Sequence, residues 1–132
     1  MERIRFAGVA LVGLFVPAIA AADVTINEVM AVNGSCIADP DDRDSPFDDW
    51  IELYNAADEV ADISGLYLSD DPGEPTKYRF PAGTTIAPRS HILVWADEEV
   101  DQGPRHMPFK LGGDGEDLIL TAADGITVID SI

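Results

Sequence analysis

No stretch of this chain after Ala22 sustains a helical period; its apolar residues alternate with polar ones in short runs, and turn residues break every run. A period of two marks a strand with one face in a core. The first such run is Val24-Thr25-Ile26-Asn27-Glu28-Val29-Met30. A long loop rich in Asn, Gly, Ser, Pro and Asp fills 31–48, and Trp50-Ile51-Glu52-Leu53-Tyr54-Asn55 is the next strand. There Ile51 and Leu53 point one way, and Trp50, Glu52 and Tyr54 the other. Leu66–Ser69, Lys77–Phe80, His91–Ala96, Phe109–Leu111, Asp117–Thr121 and Thr127–Asp130 follow as further short strands. In Lys77–Phe80, Tyr78 and Arg79 suit a solvated edge. His91–Ala96 is nearly continuous in apolar residues, which predicts a central strand buried on both faces. Asp70-Asp71-Pro72-Gly73 reads as a turn, because Pro fixes φ and Gly permits a positive one. Asp124-Gly125 reads as a type I′ hairpin. Seven or eight short strands at near-regular spacing predict an all-β fold, a β-sandwich.

The N-terminus has a different grammar. Arg3 and Arg5 precede an uncharged segment, Phe6 to Ala22, that ends in small residues. The apolar run Ala7–Val16 is short for a membrane span, and Pro17 breaks a helix there. This is the pattern of a signal peptide over 1–22, cleaved after Ala20 or Ala22, with an uncleaved anchor as the alternative. The expected destination is secreted, extracellular or periplasmic. Cleavage after Ala22 leaves 110 residues, enough for one domain with a single core over 23–132. The mature chain then carries six basic and 24 acidic side chains, a net charge of −18. Nucleic acid and anionic lipid are bound through Lys and Arg that displace counterions, so both are excluded as partners. An unidentified protein or extracellular polymer is the expected partner. Cys36 is the one cysteine, so no intramolecular disulfide forms and the core must hold the fold. A tolerated small loop residue is the favoured reading of Cys36, over a free functional thiol or a bridge to another chain.

The order and spacing of several segments resemble the lamin tail domain family, an immunoglobulin-like β-sandwich. The resemblance rests on Ile26-Asn27-Glu28-Val29-Met30-Ala31, Asp49-Trp50-Ile51-Glu52-Leu53-Tyr54-Asn55 and Asp62-Ile63-Ser64-Gly65-Leu66-Tyr67-Leu68-Ser69-Asp70-Asp71. It continues through Lys77–Ile86, Leu93–Asp97, Phe109-Lys110-Leu111 and Asp124-Gly125, and so spans about 24–132. It is to the secreted bacterial members, which look like accessories beside phosphoesterase, nuclease and spore-coat-type kinase modules. No coiled-coil rod precedes this domain and no basic segment flanks it, so nuclear-envelope and DNA-binding roles do not carry over. The resemblance implies a non-catalytic interaction or scaffolding module. Two alternatives are a Ca²⁺-stabilised architectural domain and the N-terminal accessory part of a secreted enzyme (phosphoesterase, nuclease or kinase-like) whose catalytic part lies beyond Ile132. The chain stops just after its last strand and the family pattern runs slightly further, which favours a longer natural protein.

The densest polar feature is Asp39-Pro40-Asp41-Asp42-Arg43-Asp44-Ser45-Pro46-Phe47-Asp48-Asp49, with six Asp in eleven residues. Carboxylates this close repel unless solvated or bridged by a cation, and Ca²⁺ accepts six to eight oxygens in flexible geometry. Asp39, Asp41, Asp42, Asp44 and Asp48 are therefore the candidate Ca²⁺ ligands, although Arg43 and Pro46 interrupt any EF-hand spacing; a hydrated acidic loop is the favoured reading. Asp97-Glu98-Glu99-Val100-Asp101 is a second, weaker cluster that a solvated turn explains equally well. Asn27, Glu28, Asp49, Glu52 and Asn55 are expected to hold loops through backbone hydrogen bonds. Glu28 and Glu52 are the one pair that resembles an acid/base couple, but no shared cleft is implied. His91 and His106 are isolated, and with one distant Cys they do not make a zinc site; His91 is expected to cap the start of a strand. No nucleophile-elbow, phosphate-loop or zinc-protease motif is present, so no catalytic residue is expected. Trp50, Tyr54, Tyr67, Tyr78 and Trp95 are mostly core candidates, and the Trp50–Tyr54 face could form an exposed aromatic patch.

Overall fold

The computed structural model describes residues 23–43, 46–113 and 117–132. The expected signal peptide, 1–22, lies outside them, as does the candidate ligand Asp44. Nine strands form among the described residues, and no α-helix. They are β1 (Val24–Met30), β2 (Asp49–Asn55), β3 (Ala61–Asp62), β4 (Tyr67–Ser69) and β5 (Tyr78–Arg79), then β6 (Thr85–Ile86), β7 (Ser90–Ala96), β8 (Ile119–Thr121) and β9 (Val128–Ser131). A 3₁₀ turn spans Val100–Gln102. One sheet has the order β9-β8-β4-β5, a second β1-β2-β7, and β3 pairs with β6. Pairings are antiparallel throughout the sheets. The architecture is an immunoglobulin-like β-sandwich.

Alternation builds the core. Val24 and Ile26 of β1, Ile51 and Leu53 of β2, and Ile92 and Val94 of β7 turn inward. They meet Leu68 of β4 and Leu120 of β8, with Ile63, Phe80, Ile86, Met107 and Leu118 filling between. A register shift between Ile26 and Glu28 marks a bulge in edge strand β1. The Ile26 N–H donates to Asp130 Oδ2 of β9 at 2.7 Å, so the edge is partly covered where its ladder is broken.

Three expectations are corrected. His91–Ala96 forms β7, but β2 is the central strand of its sheet and β7 an edge. His91 is exposed and Leu93 only half-buried, so the N-terminal half of β7 is not enclosed. Phe109–Leu111 is not a strand; an isolated bridge between Asp97 and Lys110 is its only β pairing among the described residues. Asp124-Gly125 is not a type I′ pair, which needs positive φ at both positions. Only Gly125 has it (φ 74°), while Asp124 Oδ1 accepts from the Ile126 and Thr127 N–H groups and closes a wider loop.

Gly65 turns the chain into β4 at φ 81°, with its N–H bonded to Phe80 O. A Cβ there meets Arg79 Nη2 at 3.3 Å, a mobile group, so the backbone conformation sets the cost. Gly65→Ala should cost about 1–2 kcal/mol, read as a lower urea midpoint with an unchanged slope.

Candidate functional site

The long β1–β2 loop is braced from inside by Asn33. Its Nδ2 donates to Ile37 O and Asp48 O, its Oδ1 accepts from Cys36 N–H, and its own N–H donates to Asp49 Oδ1. Cys36 is exposed and free. The Asp39 N–H donates to Pro46 O and Asp39 Oδ1 accepts from Asp41 N–H, which folds the loop back on itself. Asp39 is thereby only 2% exposed, whereas Asp41 lies at the surface and Asp42 and Asp48 are half-buried.

Sheet register delivers the second acidic segment to the same place. Asp49 of β2 sits opposite Ala96 of β7. The next residues outward, Asp48 and Asp97, therefore leave the sheet side by side. Asp97 Oδ1 accepts from Glu99 N–H and so holds the turn toward the loop. Asp39, Asp48 and Asp97 then bring one oxygen each within 4.8 Å of one another, and Asp42, Asp48 and Glu99 do the same. Asp39, Asp41 and His106 form a third such group. Of the five candidate ligands, Asp39, Asp41, Asp42 and Asp48 are thus placed in this region. Asp97, Glu99 and His106 join them from elsewhere in the chain.

His106 is 1% exposed. Its Nδ1 lies 2.6 Å from Asp97 Oδ2 and its Nε2 3.2 Å from Asp41 Oδ2. Only the imidazolium donates on both sides. Burial works against that charge, but the hydrogen bonds to Asp97 and Asp41 and the field of Asp97 and Asp39 outweigh it, and the pKa is raised. Both ring nitrogens lie within hydrogen-bond distance of a carboxylate, so His106 braces the loop from inside.

The two tryptophans stand next to this region. Trp50 and Trp95 are register partners on the outer face of the β1-β2-β7 sheet, yet only 3% and 5% exposed. The expected exposed aromatic patch is therefore absent at Trp50. Further along that face Glu28 does oppose Glu52, but Glu52 Oε1 accepts from Asn27 Nδ2 and Glu28 is exposed on an open sheet. His91 is the second residue of β7, at the strand entry where it was expected, and opposes Tyr54 with ring centroids 5.4 Å apart.

Part of the chain is similar to human Lamin tail domain-containing protein 2, at 41% identity over 51 residues. That match covers 36% of this chain and 8% of the human protein. The family model described as Lamin Tail Domain matches residues 17–132. That match covers nearly the whole length of the chain, and the chain belongs to the lamin tail domain family.

Proposed function

We propose that this lamin tail domain is a non-catalytic interaction or scaffolding module of an exported protein. Family membership supports a non-catalytic immunoglobulin-like domain. The observation that carries the interaction reading is the β1–β2 loop. Asn33 ties it down at both ends, yet it presents Val32, Ile37 and Phe47 to solvent. Val32 is held at φ 60°, a costly conformation for a β-branched residue, so the surrounding bonds impose the loop's shape. A braced loop with outward apolar side chains suits docking to a protein or polymer, because little ordering entropy remains to be lost on contact. The acidic surface steers basic or cation-bearing partners and repels nucleic acid. The basic, apolar and small-residue succession over 1–22 supports export.

Expression of the full chain in a bacterial host tests this. The expected result is protein in the periplasm or medium whose mass fits a start at Asp23 or Ala21. Cytosolic protein with Met1 intact would count against export. Immobilised mature protein should then retain a partner from cell-free culture supernatant, and Phe47→Ser should weaken that capture. No retention above an unrelated acidic protein of matched charge would count against the interaction role.

A further inference from the structure

The junction of loop 39–49 with turn 97–99 has an unbalanced charge. Asp39 and Asp97 are each 98% buried, counted from their 2% exposure, and Asp48 is half-buried between them. Asp39 Oδ2 has no hydrogen-bond partner; His106 Nδ1 lies 3.7 Å away and is already engaged by Asp97 Oδ2 at 2.6 Å. Asp48 Oδ2 is also buried without a partner. So is Gln102 Oε1, on a side chain anchored by its Nε2 to Glu99 Oε1. Native proteins rarely leave buried carboxylate oxygens unpaired, and the exceptions call for an ion, a water or a proton.

We propose that this junction is a site for a hard divalent cation of the Ca²⁺ class, held by Asp39, Asp48 and Asp97, with Asp42, Glu99 and Gln102 supplying oxygens at its rim. Asp48 belongs to both carboxylate triads and is the pivot. Oxygens within 4.8 Å of one another can share one ion at the 2.3–2.6 Å bond lengths typical of Ca²⁺. The donor set argues for the metal class. It is all oxygen, with the one nearby imidazole committed to carboxylates, which disfavours Zn²⁺. It offers six side chains from two loops, and Ca²⁺ takes six to eight oxygens in variable geometry, whereas Mg²⁺ demands a near-ideal octahedron and keeps several waters. Burial first, and then neighbouring carboxylates, push the acids of Asp48 and Glu99 up; burial likewise dominates the rise at Asp39. A cation would reverse that and keep all of them ionised. A depression of about 270 Å³ lined by Asp41, Gln102, Gly103, Pro104, Arg105 and His106 opens beside the region as an approach. The inference stands apart from the export reading, since binding is measurable on purified protein.

The test is calorimetric titration of the chelator-treated domain with Ca²⁺, alongside its melting temperature. We expect one saturable site with a Kd of about 1 mM or tighter, and a melting temperature higher by about 5 °C or more at saturation. Asp48→Asn should weaken binding at least about tenfold and remove the thermal increment. It should also raise the melting temperature of the metal-free protein, because it removes a repelled charge. Glu74→Gln, in an exposed acidic turn elsewhere, should change neither. If Asp48→Asn fails to fold, loss of the increment in Glu99→Gln carries the same meaning. No heat and no shift at about 10 mM Ca²⁺ overturns the proposal. So does a thermal increment that persists in Asp48→Asn or, where that variant does not fold, in Glu99→Gln, because the ion then binds elsewhere.

Discussion

Phe80→Ala should destabilise the domain by about 3–5 kcal/mol, a large part of the stability of a domain this size. Phe80 is fully buried and stands among the largest enclosed side chains. Its ring meets Tyr78 edge-on at 5.3 Å, an arrangement that adds to the simple burial of area. Its backbone closes the turn into β4, with its N–H on Leu66 O and its carbonyl accepting from Gly65 N–H. These bonds hold the Cα in place after truncation, so the structure cannot collapse to fill the void. Cavity cost scales with residual volume, which puts this position toward the upper part of the range. Phe80→Leu retains much of the volume and should lose only about 1–2 kcal/mol. Urea unfolding of both variants supplies the comparison. A loss below about 1 kcal/mol for the alanine variant would mean that Phe80 does not lock the two sheets together.

Strand existence was legible where apolar and polar residues alternate, as in β1, where Thr25 and Asn27 are exposed around buried Val24 and Ile26. The sequence places strands at β1, β2, β4, β8 and β9 within a residue or two of where they form. Legibility fails where burial comes from something other than a sheet. Phe109 and Leu111 are buried around exposed Lys110, which imitates strand alternation, yet the segment packs as irregular chain and bridges only at Asp97. The apolar run of β7 misleads for a related reason. Ile92 and Val94 enter the core, but Trp95 is buried on the other face beside Trp50 and pairs with His106 in a single bridge. The run therefore does not signal a flanking strand on each side.

The acidic site was half legible. Composition alone finds the Asp-rich loop and the weaker 97–101 cluster. That they meet depends on register, because Asp49 opposite Ala96 forces residues 48 and 97 together. A one-residue slip would send them to opposite faces. His106 had no local signal at all. Its part follows from the turn that brings Met107 N–H to Trp95 O and so carries the chain back along β7.

Asn55→Ala should cost about 2–4 kcal/mol, although it removes almost no apolar area. Asn55 closes β2 and is completely buried. Its Nδ2 donates to Glu59 O at 2.8 Å and to Ile86 O and Ala87 O at 3.1 Å, while its Oδ1 accepts from Ala57 N–H. One side chain thus fixes the turn after β2 and the end of β6. Alanine leaves the buried Ile86 carbonyl and two part-buried ones without this donor, and such a loss at a buried group costs more than the bond's net worth in an intact protein. Asn55→Asp separates the donors from the shape. It keeps an acceptor for Ala57 N–H but turns a carboxylate toward three carbonyl oxygens. Burial and those oxygens would raise its folded pKa above the unfolded value. A raised carboxyl pKa means that the native state holds the proton more tightly. The stability this contributes is therefore present below the unfolded pKa and is lost as pH rises through the folded one. The Asp variant should be least stable at neutral pH and recover toward acid, where its proton restores a single donor. Asn55→Ala should show no such recovery relative to the parent. Unfolding midpoints of the three proteins at acid and neutral pH decide the matter, and parallel pH profiles for the two variants would show that the donors at Asn55 are not what holds this corner.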